Sequence, residues 1–183
     1  MQKKDVNEAL TFGNHKGATS QPLLLQQLIV KDVTYGFGLA IPLSTVHSIQ
    51  GALLAPMNIM KQNTIDEQGQ IIPKDRLTHD QSYPWRLGAS INSRIWIKDL
   101  LPCPVGACIR RLVNYAVAAC KKYPNRRILA TKINYKSAYR CCHLNWLTAV
   151  QTITQLPDEK LAIILLQLTL SGSPGPYKWG VIS

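Results

Sequence analysis

Two extended runs separated by a short polar turn place the strongest constraint on how this chain folds. Residues 53–65 are apolar and partly alternating, and residues 71–82 form a second extended run. The intervening Asp66-Glu67-Gln68-Gly69-Gln70 has the acidic, amide and glycine content of a turn. The sequence therefore predicts an antiparallel β-hairpin. Period-two alternation places four polar side chains on one face of its second strand: Lys74, Arg76, Thr78 and Asp80.

Helix and strand patterns alternate after the hairpin. Residues 106–122 have apolar side chains at three-and-four spacing, which predicts an amphipathic helix that ends at Pro124. A strand pattern at 128–133, a helix pattern at 146–155 and a strand pattern at 161–170 follow. This order is typical of an α+β fold. We expect strands 128–133 and 161–170 to pair in a second sheet that the 106–122 helix flanks.

The first fifty residues show little periodic patterning. Residues 1–20 are polar and lack an apolar period, so they are predicted to be a flexible lead-in. A short helix fits 23–30 and ends before the Gly36-Phe37-Gly38 break. We therefore predict an N-terminal lead-in over 1–50, followed by a hairpin-containing region over 51–105 and a helix-and-strand region over 106–183.

Positive charge limits the classes of partner. Lys and Arg number 21 against 10 Asp and Glu, which gives a formal charge of +11. Such a balance favours polyanions, and nucleic acid above all. No apolar segment resembles a secretion signal, and the longest apolar stretch is too short to span a membrane. We predict an intracellular protein, cytoplasmic or nuclear, without a membrane partner; the oligomeric state is left open.

Five basic residues within or near the predicted strand 128–133 are candidates for nucleic-acid contacts. Lys132, Lys136 and Arg140 bracket a turn where free backbone N–H groups favour anions. Arg126 and Arg127 precede the strand. For Arg126 and Arg127 the alternative is an ordinary polar turn before a strand.

The sequence contains only poor matches to known metal-binding patterns. The odd count of five cysteines favours reduced thiols. Cys103-x4-Cys108 and Cys141-Cys142-His143 contain zinc-binding side chains, but their spacing differs from that of known zinc sites, so a zinc-dependent structural protein is only a third alternative. The chain contains neither Asp-Asp nor Asp-x-Asp, so it supplies no carboxylate cage for magnesium, and no metal site is predicted.

Three sequence motifs resemble those of retrotransposon reverse transcriptases. Lys132-Ile-Asn-Tyr-Lys-Ser-Ala-Tyr-Arg140 is similar to the first palm motif of that family. Arg76-Leu-Thr-His-Asp-Gln-Ser82 and the following Gly88-Ala-Ser-Ile-Asn92 resemble its fingers motif, and Leu168-Thr-Leu-Ser-Gly-Ser-Pro174 resembles a diverged form of its next palm motif. The resemblance implies that 51–105 is a fingers-like region and that 106–183 is a partial palm, truncated before the family's Tyr-x-Asp-Asp hairpin.

The resemblance also implies roles for individual residues. Asn134 occupies the position of the carboxylate that binds Mg²⁺ in the intact family, and an amide provides no charge there. The chain itself is therefore predicted to be inactive and to hold no cofactor. The implied partners are an RNA or DNA template–primer and a deoxynucleoside triphosphate. The implied nucleotide-binding residues are Lys74, Arg76, Ser137, Ala138 and Tyr139.

Some of these residues have a purely structural alternative. Tyr139 could be a core tyrosine, and Lys74 and Arg76 could belong to a salt-bridged, exposed strand face. The hypothesis for the whole chain is a fragment of an RNA-directed DNA polymerase. The alternative is a non-catalytic, basic nucleic-acid-binding module.

Overall fold

A computed structural model describes residues 2–85, 90–95, 105–129 and 138–169, and the structural statements below concern these residues. Their fold is mixed α+β, with helices and two small antiparallel sheets. The helices are α1 (Gln2–Phe12), α2 (Lys16–Thr19), α3 (Pro22–Thr34), α4 (Val105–Lys122) and α5 (Trp146–Ala149). The strands are β1 (Gly38–Pro42), β2 (Met57–Ile65), β3 (Ile71–His79), β4 (Ile153–Leu156) and β5 (Leu161–Leu165). Short 3₁₀ helices span Leu43–Ser48, Asn92–Arg94 and Ala138–Cys141.

The predicted hairpin is confirmed. Strands β2 and β3 pair in antiparallel register from Met57 opposite His79 to Ile65 opposite Ile71. In the turn, the Asp66 carboxylate accepts hydrogen bonds from the backbone N–H groups of Gln68 and Gln70, at 3.0 and 2.7 Å. Gly69 has a φ of +81°, a backbone conformation that side chains disfavour. Local turn chemistry therefore fixes the register.

The three-stranded sheet corrects the predicted pairing of 128–133 with 161–170. Strand β5 lies between β1 and β4, and all pairings are antiparallel. Both edges of 161–165 are thus occupied by other strands. Residues 128 and 129 are exposed and outside any strand, and 130–133 lie outside the described residues. The prediction failed because β1 is only five residues long and pairs with a segment far away in the chain.

Two helix predictions have different outcomes. Helix α4 is confirmed, but its described side chains, from Ile109 onward, are exposed apart from a half-buried Ala119. The expected helix over 146–155 is wrong in its second half, because α5 ends at Ala149 and β4 begins at Ile153. The β-branched Ile153 and Thr154 favour a strand, and pairing with β5 outweighs the apolar period.

The expected flexible lead-in over 1–20 is instead helical and packed. Val6 and Ala9 of α1 and Ala18 of α2 are buried. Between these helices, the Asn14 side-chain amide donates to the backbone carbonyl of Gln155 at 2.8 Å, and its oxygen accepts from the backbone N–H of Met57 at 2.8 Å. Apolar periodicity misses this segment because a buried polar side chain provides much of its attachment. Helix α3 confirms the predicted short helix and extends it.

Strand β5 separates the two main parts of the core. Ile164 packs in a cluster with residues of α1, the segment before β2, and β4, whereas Ile163 and Leu165 pack in a second cluster with α2, α3 and β2. Alternate side chains of one strand point to opposite faces of its sheet, so β5 contributes to both clusters. The hairpin joins this core at its open end, where Met57 is fully buried.

Candidate functional site

Described parts of two segments that resemble polymerase motifs, the fingers-like motif and the last palm-like motif, meet where the hairpin joins the core. After β3 the chain turns, and the Gln81 side-chain amide donates to the Thr169 hydroxyl at 3.0 Å. The backbone N–H of Asn92 donates to the Gln81 carbonyl at 2.9 Å, and the Asn92 side chain donates to the Ser82 hydroxyl at 2.8 Å. Both halves of the fingers-like motif are therefore joined to each other and to the beginning of the last motif.

The segment that follows the first palm-like motif reaches the same place. The backbone N–H of Leu168 donates to the Cys142 carbonyl at 2.9 Å, and that of Leu144 donates to the Leu166 carbonyl at 2.8 Å. The motif itself ends at Arg140, two residues before Cys142. We name the residues that carry these contacts the motif junction: Gln81, Asn92, Cys142, Leu168 and Thr169.

Arg140, one of the predicted nucleic-acid contacts, has an internal ion-pair partner. Its guanidinium donates to the Asp32 carboxylate at 2.6 Å and lies over the Phe37 ring, 5.3 Å from the ring centroid. Burial raises the pKa of Asp32, although the positive charges of Arg140 and Lys31 act in the opposite direction. The ion pair joins α3 to the end of the first palm-like motif. The ion pair gives Arg140 a structural role, and its contact with nucleic acid stays a prediction.

His79 lies on the buried side of the hairpin beside this region. Its side chain is fully buried, and neither ring nitrogen has a hydrogen-bond partner among the described residues. Burial, with a further contribution from the positive charge of Arg140, lowers the pKa of His79 to about 3. The imidazole is therefore neutral at physiological pH. Alternation could have found this residue, since His79 shares the face of the half-buried Leu77 rather than that of Arg76.

Some of the remaining predicted site residues are exposed, and others lie outside the described residues. Lys74 and Arg76 are exposed on β3, opposite Gln62 and Met60. Asp80, which we placed on their face, instead contacts His15 at 3.1 Å. Arg126 and Arg127 are exposed just after α4.

The first palm-like motif is described only at its end. Ala138 and Tyr139 belong to the 3₁₀ turn at 138–141, where Tyr139 is half-buried. Four predicted residues lie outside the described residues: Lys132, Asn134, Lys136 and Ser137.

The motif junction offers amides and hydroxyls rather than carboxylates. No group of three or more His, Cys, Asp or Glu side chains that could hold a metal ion occurs in the part of the chain that the structure describes. The described side chains therefore do not fit a two-magnesium site. Among the same residues, no helix combines the length and apolar character that crossing a membrane requires.

Comparison of the chain with protein-family models, with curated proteins and with solved structures gave no match.

Proposed function

We propose that this chain is a reverse-transcriptase-like fragment, made of fingers and partial palm, that binds nucleic acid without polymerase activity of its own. The observation that carries this proposal is the hydrogen bond between Gln81 and Thr169, which are 88 residues apart. It joins the fingers-like motif to the last palm-like motif. The described parts of the fingers-like and last palm-like motifs are thus adjacent, and Cys142, two residues after the first palm-like motif, bonds to the last one, which supports a shared site.

Nucleic-acid binding is the activity that the charges support best. The chain carries a formal charge of +11, and four basic site residues, two predicted to bind nucleotide and two predicted to bind nucleic acid, are exposed in the described structure. These are Lys74, Arg76, Arg126 and Arg127. Cations of this kind bind phosphates and displace counterions, so binding would be salt-dependent and only weakly sequence-selective. The corresponding location is the cytoplasm or the nucleus, where such a partner is present.

The chain lacks the set of acidic residues that polymerase activity requires. Two-metal phosphoryl transfer requires several carboxylates that converge on ions about 3.5–4 Å apart. This sequence has an amide, Asn134, where the resemblance places the first carboxylate, and it contains no Asp-Asp pair. We therefore assign no catalytic step and no bound magnesium to these residues.

Binding and primer extension together test the proposal. Labelled RNA and DNA should bind at low salt, and the affinity should fall as salt rises. Primer extension with Mg²⁺ or Mn²⁺ should be undetectable for the native chain and for Asn134→Asp, since one restored charge does not bind two metal ions. Salt-independent binding, failure of the folded chain to bind at low salt, or template-dependent extension by the native chain would contradict the proposal.

A generic basic module is the second candidate, and the sheet topology favours it. A palm-like sheet would have placed 128–133 beside 161–170, whereas β1 and β4 occupy both edges of β5 over 161–165. The two candidates differ in the nucleic acid that they prefer. A polymerase-derived fragment should recognise a primer–template junction, and a generic module should follow charge density alone.

A further inference from the structure

A groove of about 700 Å³ is lined by residues outside the motif junction. One wall is the end of the 3₁₀ helix Leu43–Ser48 with the turn that follows it, and the other is α5 and the residues just after it. The lining side chains include Ser48, Gln50, Trp146, Leu147, Val150 and Gln151. None of the residues that line this groove is charged.

Backbone hydrogen bonds hold the two walls together. The N–H of Leu53 donates to the Val150 carbonyl at 3.0 Å, and the N–H of Ile153 donates to the Leu53 carbonyl at 3.0 Å. Gly51 has a φ of +84° at the tight turn between the first wall and this pairing. The Asn145 side chain caps α5 by accepting a hydrogen bond from Thr148 N–H at 2.9 Å. The groove is therefore formed before any ligand binds.

Trp146 is exposed although the wall that carries it is fixed. Its exposed fraction is 56%, against 4% for Trp85, whose indole N–H donates to the Leu54 carbonyl. Leu147 beside it is 73% exposed, while Ala149 and Val150 are buried and anchor α5. The core thus uses the second half of this short segment and leaves an indole ring directed at solvent in the groove.

We propose that this groove binds an unpaired base of single-stranded nucleic acid, stacked on Trp146. An aromatic ring stacks on any nucleobase, because every base has a π-face. The Gln50 amide can donate and accept hydrogen bonds, and the Gln151 amide, which donates to the Leu147 carbonyl at 3.0 Å, keeps its oxygen as an acceptor, which suits the mixed edges of a base. The charge of +11 favours a polyanionic strand over a proline-rich peptide, which an exposed tryptophan could also bind. The proposal rests on the proposed function only in requiring nucleic-acid binding.

The test compares three variants in equilibrium binding to a labelled oligouridylate. Trp146→Ala should weaken binding about tenfold, whereas Trp146→Phe, which keeps a stacking ring, should stay within about threefold of the native chain. Tyr35→Ala removes another exposed aromatic side chain, outside the groove, and should leave the affinity unchanged. The salt dependence should be the same for Trp146→Ala and the native chain, because stacking releases no counterions.

The outcomes separate this proposal from the proposed function. If the native, folded chain fails to bind oligouridylate, the groove proposal is wrong, and the proposed function is also wrong only if duplex RNA and DNA fail to bind at low salt. If it binds and Trp146→Ala binds equally well, with native-like circular dichroism, the groove proposal is overturned and nucleic-acid binding stands. Binding of a proline-rich peptide that depends on Trp146, in place of oligouridylate, would also overturn it. Photocrosslinking of a 4-thiouridine-containing strand to the segment that contains Trp146 would support it directly.

Discussion

On the buried side of β3, His79 occupies a position where alternation calls for an apolar side chain. The pKa of His79 is lowered to about 3 from 6.5, so the folded chain excludes a proton that the unfolded chain binds. The unfolded state therefore binds more protons below pH 6.5, and the free energy of unfolding decreases as the pH falls. The contribution of a neutral His79 is fully present above pH 6.5 and is lost progressively toward pH 3.

We predict that stability falls by about 2 kcal/mol between pH 7 and pH 5 because of His79. Urea unfolding at the two pH values measures the change. His79→Leu should remove most of this dependence, and it should be tolerated at pH 7 because it also removes two unpartnered buried nitrogens. His47→Gln, at an exposed histidine, is the control. The raised pKa of Asp32 acts in the opposite sense, and both variants retain it.

The ion pair between Arg140 and Asp32 gives a second prediction at the residue scale. Both side chains are about four-fifths buried. Arg140→Met leaves a buried carboxylate without its partner and should cost about 2–3 kcal/mol. Adding Asp32→Asn should restore part of the loss, since the unpaired charge is gone. A double-mutant cycle from denaturant unfolding measures the coupling, and strictly additive effects would show that the pair contributes nothing.

Among the helices and strands, the sequence predicted contacts between segments that are adjacent in the chain and missed contacts between distant segments. The hairpin was predicted because its turn residues and both strands are adjacent in the chain. Helix α4 was predicted from its own period, but the expected packing of its apolar side chains against the second sheet is not seen, since those described are exposed. The β1–β5 pairing was missed because Gly38–Pro42 and Leu161–Leu165 are far apart, and no local pattern specifies their contact.

The same limit applied to the candidate site. Exposed cations such as Arg126 could be predicted from composition, because the surface is where such residues normally lie. The internal partner of Arg140 could not, since Asp32 belongs to a helix 108 residues away. Trp146 begins the predicted helix over 146–155, yet it is exposed on an α5 that is only one turn long.

The buried hydrogen bonds of Asn14 should hold the N-terminal helices to the rest of the fold. Asn14→Ala removes two buried hydrogen bonds, one to β2 and one to β4, and leaves their backbone partners unsatisfied. We expect a loss of about 2–4 kcal/mol. Asn7→Ala on the exposed side of α1 should change stability by less than about 0.5 kcal/mol. Equal thermal melting temperatures for the two variants would show that residues 2–19 are not part of the cooperative unit.

At the scale of the whole molecule, charge placement should set the salt dependence of binding. Each phosphate contact that is lost lowers the slope of log K against log salt by about 0.7–0.9. The double variant Arg126→Ala, Arg127→Ala should therefore reduce the slope by about 1.5. Lys4→Ala with Lys16→Ala removes the same charge from the N-terminal helices and is the matched control. Identical slopes for both double variants would mean that only net charge matters.

A preference for a primer–template junction would distinguish a polymerase-like nucleic-acid-binding fragment from a generic basic module. Binding should be measured at one salt concentration for a recessed-3′-end duplex, a blunt duplex and a single strand of equal charge. We predict that the recessed duplex binds about fivefold or more tightly than the blunt duplex, a difference of about 1 kcal/mol. Equal affinity for the recessed and blunt duplexes would contradict the polymerase-like account and would favour the generic basic module.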